Sequence, residues 1–270
     1  MRWTCENKKK RPDLQMLLAI AVENTRTVVG LLDGDTVKRH WRVGTDQRRT
    51  ADEWAVLITG LLREATVDGM AVCSAVPRVL HELREVAARY FGDVPAVIVE
   101  PGVKTGLPVL MDNPREVGTD RIVNAVAVAH HYGDRGPCIV VDVGTATTYD
   151  VVSPKGQYIG GVIAPGIEVS LDALRQRAAQ LRTVELVRPR TVVARNTVEA
   201  MQAGAVFGAA GQIEGVVGRI LAEQGWQPED VTVVATGGLA PLVVPECTVI
   251  DEHQPWLTLL GLRLVFDRNV

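Results

Sequence analysis

Residues 138–163, CIVVDVGTATTYDVVSPKGQYIGGVI, begin as a short apolar strand that ends in a carboxylate, Asp142, with Gly144 and the run Thr145-Ala146-Thr147-Thr148 close behind. Tyr149–Val152 and Tyr158–Ile163 then read as the two arms of a hairpin turning at Pro154-Lys155-Gly156. Residues 16–44, MLLAIAVENTRTVVGLLDGDTVKRHWRVG, repeat that order: an apolar strand, a polar break at Glu23-Asn24-Thr25, and two strands joined at Asp33-Gly34-Asp35. Ala21 and Asp142 take matching places 121 residues apart in a chain of 270. A period of nearly half the chain is too long for a solenoid and predicts a duplicated domain.

Working outward, strands alternate with helices, the mark of α/β units built on largely parallel sheets. Thr50–Arg63 opens on a capping box, Thr50 with Glu53 three residues on, and continues at helical spacing. Met70–Val76 reads as a strand stopped by Pro77, Val79–Tyr90 as a helix, Ala96–Val99 as a strand and Glu116–His131 as a helix. The hinge-like stretch HYGDRGP at 131–137 divides the chain. Beyond it the spacing predicts helices at Ser170–Gln180 and Thr197–Ala222, strands at Val231–Ala235 and Thr248–Ile250 around the turn Thr236-Gly237-Gly238, and a last helix from Pro255. The Gly- and Ala-rich helix at 197–222 permits close backbone approach and suits a subunit interface. The expected organisation is a basic flexible arm over 1–15, one half over 16–133, and a second half over 134–270 that carries a dimer interface.

Composition narrows the function. With 47% apolar and 23% charged residues the chain can bury a sizeable core, and a formal charge of −3 leaves no overall footprint for nucleic acid. Apolar runs such as Met16–Val22 fall far short of the roughly 20 residues that span a bilayer, so no membrane partner is expected. The arm carries Lys8-Lys9-Lys10-Arg11 and no apolar signal-peptide core. Cys5, Cys73, Cys138 and Cys247 are scattered, and the five His make no ligand cluster, which fits a reducing cytoplasm and no thiolate or imidazole metal site.

Three stretches can carry chemistry. Asp142 and the hydroxyl run after it offer a cation ligand and donors for phosphate oxygens, although the same residues also suit an ordinary strand-to-hairpin turn. In the first half, Asn24, Thr25 and Thr27 offer similar donors, but Ala21 stands where Asp142 stands in the second. Glu23 is a carboxylate two residues on, and beside a triphosphate it would repel unless a metal lay between. Third, Gly118-Thr119-Asp120-Arg121 opens the predicted helix at 116–131. There Asp120 can serve as a general base and Arg121 can grip a carboxylate in bidentate fashion; the plainer alternative is charge complementing a helix dipole.

Taken together these stretches resemble the type III pantothenate kinases, members of the acetate- and sugar-kinase/actin-like superfamily. The resemblance covers residues 16–268. It rests on Ala21-Val22-Glu23-Asn24-Thr25 against the family pattern Asp-x-Gly-Asn-Thr, on Arg49-Thr50-Ala51-Asp52-Glu53, Pro101-Gly102-Val103-Lys104-Thr105-Gly106, Asp112-Asn113-Pro114 and Gly118-Thr119-Asp120-Arg121, and on Asp142-Val143-Gly144-Thr145-Ala146-Thr147-Thr148, Gly160-Gly161 with Pro165-Gly166, and Asn196-Thr197. It implies two ribonuclease-H-like (actin-like ATPase) halves with a nucleotide cleft between them, and ATP-dependent phosphorylation of pantothenate in coenzyme A synthesis. By the same resemblance Asp120 is the base, and Gly118, Thr119, Asp120, Arg121 and Met111 line the pantothenate site. Thr197 enters that site from the neighbouring subunit of a homodimer. The loop of Ala21, Val22, Glu23, Asn24, Thr25, Arg26, Thr27 and Val28, with Thr145, holds ATP and its Mg²⁺, while Asp142 holds a monovalent cation, K⁺ or NH₄⁺.

The sequence departs from the family at Ala21 and Glu23, at Met111 where many members have Tyr, and at Thr119 where Ala is usual. Losing an electrostatic element of the kind Ala21 lacks typically costs about 10² to 10³ in rate, roughly 3–4 kcal/mol. Two other readings follow: a catalytically silent paralogue that acts as a binding or regulatory subunit in a hetero-oligomer with an active kinase, or a kinase for a related hydroxy acid.

Overall fold

The structure is a computed structural model and describes residues 16–177 and 184–270. The arm over 1–15 and the end of the helix expected at Ser170–Gln180 lie outside the described residues.

Alternating side-chain direction along β1 (Met16–Val22) sets the layering. Leu17, Ala19 and Ala21 face one side of the sheet while Leu18, Ile20 and Val22 face the other, and both sides are buried. β1 pairs antiparallel with β2 (Arg26–Asp33), which pairs antiparallel with β3 (Thr36–Gly44). On its other edge β1 pairs parallel with β4 (Gly69–Ser74), and β4 with β5 (Ala96–Ile98). The second sheet has the same plan: β6 (Cys138–Val143), β7 (Ala146–Val152) and β8 (Tyr158–Pro165) form the antiparallel meander, and β9 (Thr232–Thr236) and β10 (Glu252–His253) add in parallel. The duplication expected from the repeat is present strand for strand, as two ribonuclease-H-like sheets.

Helices fill three layers. α1 (Ala51–Leu62) and α2 (Pro77–Tyr90) cover the outer face of the first sheet around the wholly buried Trp54. α4 (Ile167–Arg177), the long α5 (Thr197–Gln224) and the short α6 (Ala240–Val243) stand on the outer side of the second sheet, where Ile213 and Val217 of α5 enter its core. Between the sheets lie α3 (Thr119–His131) and α7 (Leu257–Asn269), sharing one core with Leu17, Ala19 and Ala71 of the first sheet and Val140 and Val234 of the second.

Four expectations shift. α3 begins at Thr119 rather than Glu116, because Pro114–Glu116 closes its own 3-10 turn and Gly118 caps the helix. β7 begins at Ala146, so the turn after Asp142 is only Gly144–Thr145. Thr248–Ile250 forms no strand; Asp251 instead bonds to Val233 and the pairing begins at Glu252. Pro77 starts α2 as its first residue, a place where its missing N–H costs nothing.

The middle layer is tight because α7 lies directly on the α3 backbone: a Cβ at Gly261 would collide with the Val123 carbonyl oxygen. Gly261→Ala should therefore destabilise the protein by about 1–3 kcal/mol, measured by chemical denaturation, even though Ala favours helix over Gly.

Candidate active site

Ala21 and Asp142 occupy equivalent positions one residue before the ends of β1 and β6, and both face the middle layer. Asp142 is held from α3: Asn124 Nδ2 donates to its Oδ2 at 3.1 Å, and the Asn124 amide oxygen accepts from Thr258 Oγ1 of α7 at 2.8 Å. Asn124 is itself buried in an otherwise apolar stretch of α3. The other oxygen, Oδ1, lies against two glycines. A Cβ on Gly237 would stand 2.5 Å from it, and one on Gly144 would stand 3.5 Å from it and 3.8 Å from Glu23 Oε2. Glu23, in the β1–β2 turn, thus reaches across to the same glycine that Asp142 faces.

Between these groups is a cavity of about 30 Å³ lined by Ala21, Glu23, Arg26, Arg42, Asp142 and the 236–238 turn, space for one water. Burial pushes the Glu23 carboxyl above its ordinary range, and Asp120 pushes it further against the pull of Arg26 and Arg42. Asp142 is raised well above the usual carboxylate range by burial first, then by Glu23, Asp120 and Asp150, with the Asn124 hydrogen bond opposing. Three carboxylates, from a turn, a strand and a helix, therefore repel one another across this partly buried region.

Two exposed side-chain contacts bridge the two halves beside the cleft. Thr25 and Thr145 share a hydrogen bond of 3.0 Å between the two turns, and Arg26 pairs with Glu168 in the first turn of α4 at 2.9 Å. Gly166, before α4, packs on the Thr145 carbonyl so closely that no Cβ fits. The start of α4 is thus fixed against the second turn.

The neighbouring part of the cleft is built on the first turn of α3. Thr119 pins that turn to the end of β4, exchanging 3.2 Å hydrogen bonds with the Ser74 backbone N–H and carbonyl. Asp120 folds back over Gly118, where a Cβ would come within 2.5 Å of its Oδ1. Arg121 donates from Nε to Asp150 of β7 at 2.7 Å, and Tyr158 Oη donates to the same oxygen at 2.8 Å. Arg121 Nη2 lies over Gly161, and Met111 Sδ lies 3.7 Å from the Cβ position of Gly160.

The residues expected from sequence thus fall into groups. Ala21, Glu23, Arg26, Val28 and Asp142 line one cavity, Thr25 meets Thr145, Asp120 folds over Gly118, and Arg121 and Met111 lie at the 160–161 glycines. Val22 instead points into the core between β1 and α1–α2, Thr27 is buried on Thr45 Oγ1, and Asn24 is exposed. Thr197 lies elsewhere, in a groove of about 540 Å³ between α4 and α5. Sequence reasoning missed Asn124, Asp150 and Tyr158 as well as Arg42, whose guanidinium stacks on Trp256 at 5.4 Å. A lone amide inside IVNAVAVA was a readable signal for Asn124; Asp150 showed none beyond being a charge in a strand.

The model of the type III pantothenate kinase family matches residues 17–219. The type III pantothenate kinase of Streptomyces avermitilis is 63% identical over 264 residues, covering 94% of this chain and 99% of that protein. That of Thermobifida fusca is 57% identical over 259 residues, covering 94% and 100%. Among solved structures, the ethanolamine utilization protein EutJ from Carboxydothermus hydrogenoformans is alike in fold, with a TM-score of 0.54 at 16% identity over 96% of this chain and 91% of that one.

The crowding of carboxylates makes a prediction for the ligand-free protein. A raised folded-state pKa means that stability falls as pH climbs from the ordinary Glu value of 4.5 through the folded one. Glu23→Gln removes that loss. Its Tm at pH 7.5, in metal-free buffer, should exceed that of the unaltered chain by about 2–4 °C, the shift that roughly 1 kcal/mol produces at this size. The gain should shrink as the pH is lowered towards 4.5.

Proposed function

Because the chain belongs to the type III pantothenate kinase family, we propose that it transfers the γ-phosphoryl group of ATP to the hydroxyl of pantothenate, the entry step of coenzyme A synthesis. The observation that carries the reading is the meeting of Asp142, Glu23 and the Thr25–Thr145 pair at one cleft, with Asp120 and Arg121 next to it on the first turn of α3. The identity over nearly the whole chain to curated kinases favours an active enzyme over a silent subunit of a hetero-oligomer.

In this reading Asp120 accepts the proton of the pantothenate hydroxyl as its oxygen attacks the γ-phosphorus in line and the bond to the β-phosphate breaks, releasing ADP. Gly118, Thr119 and Met111 form walls of the pantothenate site, and Arg121 grips the substrate carboxylate. The Ala21–Val28 turn and Thr145 hold the phosphates. On nucleotide binding the Thr25 and Thr145 hydroxyls and the Arg26 guanidinium exchange their contacts with one another and with Glu168 for phosphate oxygens.

No group of three His, Cys, Asp or Glu side chains among the described residues makes a ready metal cage. Mg²⁺ does not need one, since it commonly takes one or two carboxylates and fills its shell with water and phosphate oxygens. The all-oxygen donors Glu23 and Asp142, both facing Gly144, fit it. When bound, the ion would offset charge on the transferring phosphoryl group. A monovalent cation, K⁺ or NH₄⁺, is assigned to Asp142.

The working unit is read as a homodimer. Thr197, Ala200, Gly204, Gly208 and Gly211 form an exposed stripe of small residues along α5, beside exposed Val169 and Leu174 of α4. By length and composition α5 could cross a membrane, yet little of that window is buried within one chain, as expected of a helix that a second subunit covers. In this reading Thr197 enters the pantothenate site of the partner subunit. The unpaired thiols Cys73, Cys138 and Cys247 support a cytoplasmic location.

Purified protein with ATP, Mg²⁺ and K⁺ should form 4'-phosphopantothenate, and no product at saturating substrates would refute the assignment. Asp120→Asn should lower kcat by about 10² to 10⁴ with a Tm no lower than that of the unaltered chain. Gly208→Glu should give monomers in sedimentation velocity and a raised KM for pantothenate.

A further inference from the structure

Arg121 is held by a side chain that the reaction itself does not use. We propose that Asp150 is a positioning residue that sets the kinase's preference for a carboxylate-bearing substrate by fixing the Arg121 guanidinium. The inference rests on the reading of Arg121 as the group that binds the pantothenate carboxylate.

Asp150 lies in the middle of β7 with no exposed surface, and Arg121, on α3, is only 14% exposed. The carboxylate takes three donors: Arg121 Nε at 2.7 Å and Tyr158 Oη at 2.8 Å on Oδ1, and Thr148 Oγ1 at 3.4 Å on Oδ2. Tyr158 is wholly buried on β8 and lies under the guanidinium, whose carbon is 6.0 Å from the ring centroid. Nη2 rests over Gly161, where a Cβ would come within 2.7 Å. The guanidinium is therefore tied at Nε, supported from below, and seated in a gap that only glycine leaves.

The geometry has a chemical consequence. A guanidinium can engage a carboxylate through its Nε edge or through its two terminal nitrogens. Asp150 occupies the first edge, so the terminal pair is left for a ligand. Burial pushes the Asp150 carboxyl up to about 6 against the opposing effect of Arg121 and Tyr158, so it carries its charge at pH 7.5. Were it neutral or absent, Arg121 would keep its charge but lose the partner that fixes its direction, and binding would have to supply the ordering entropy.

The test compares pantothenate with panthenol, its neutral analogue with an alcohol in place of the carboxylate, on the full chain with ATP, Mg²⁺ and K⁺ at pH 7.5. Asp150→Asn keeps the shape and removes the charge. The variant should raise KM for pantothenate about tenfold, as expected when one charge-assisted hydrogen bond is weakened, while kcat changes far less and KM for panthenol stays within about twofold. Tyr158→Phe, which leaves the ion pair and removes one donor, should shift KM for pantothenate in the same direction by a smaller factor, and it carries the test should Asp150→Asn fail to fold. Equal loss on both substrates, a loss confined to kcat, or no change would overturn the proposal. Failure of the unaltered protein to phosphorylate either compound would refute the kinase reading itself, whereas turnover of both without preference would leave the kinase and remove the role given to Arg121 and Asp150.

Discussion

Asn124 donates to Asp142 from the apolar middle of α3, Ile122–Ala129, and its oxygen accepts from Thr258 of the adjoining helix. That chain of two hydrogen bonds links both helices of the middle layer to the end of β6. It works only because the layer is close-packed: Gly261 sets α7 directly on the α3 carbonyl at Val123, the residue before Asn124. Much of the cleft depends on this placement. The helix that locates Asp142 through Asn124 also projects Asp120 and Arg121 from its first turn, so the proposed base stands on the same rigid helix that holds the proposed cation ligand of β6 in place. Sites carried on helices and strands are held more precisely than sites on loops.

Charge is distributed unevenly around that element. Glu23 and Asp142 meet on the proposed nucleotide side with Asp120 next to them, and burial together with repulsion among the three raises Glu23 and Asp142. On the substrate side the sign is balanced, because Arg121 meets Asp150 within a buried, hydrogen-bonded set. An acidic cleft that Arg26 and Arg42 offset only in part is costly in the ligand-free protein, and a bound cation relieves that cost. The neighbouring ion pair needs no such compensation and can remain fixed before any ligand arrives.

Much of this was legible in the sequence, for identifiable reasons. The apolar run Met16–Val22, the capping box at Thr50, and the repeat that aligns Ala21 with Asp142 are signals written along the chain, and the structure reproduces each of them. The boundaries that moved depend on competition between neighbours. Pro114–Glu116 forms its own turn instead of joining α3, and Thr248–Ile250 yields its place beside β9 to Glu252 and His253. The partners of the site were harder to see because they are tertiary. Nothing in TTYDVV shows that Asp150 will meet an arginine 29 residues earlier on a helix between the sheets. The path of Glu23 was equally hidden, since its reach depends on how the two turns face each other.

That path alters how the substitution at Ala21 is read. Taken alone, a methyl group at the end of β1 removes a carboxylate from the nucleotide cleft. Taken with its neighbour it does not, because Glu23 Oε2 arrives on the same side of Gly144 as Asp142 Oδ1. The cleft keeps a carboxylate from its first half, now carried on a longer side chain from a turn instead of a shorter one from a strand end. A longer chain can reach the same cation but has more rotamers to lose on fixing. The Thr45 hydroxyl, donating to the Glu23 carbonyl at 2.8 Å, and the Glu23 N–H, donating to the Arg26 carbonyl at 2.9 Å, hold its backbone while the carboxylate keeps that freedom. Ala21 and Glu23 are therefore best understood as one paired change, and a rate cost reckoned from the missing strand-end carboxylate alone counts only half of it.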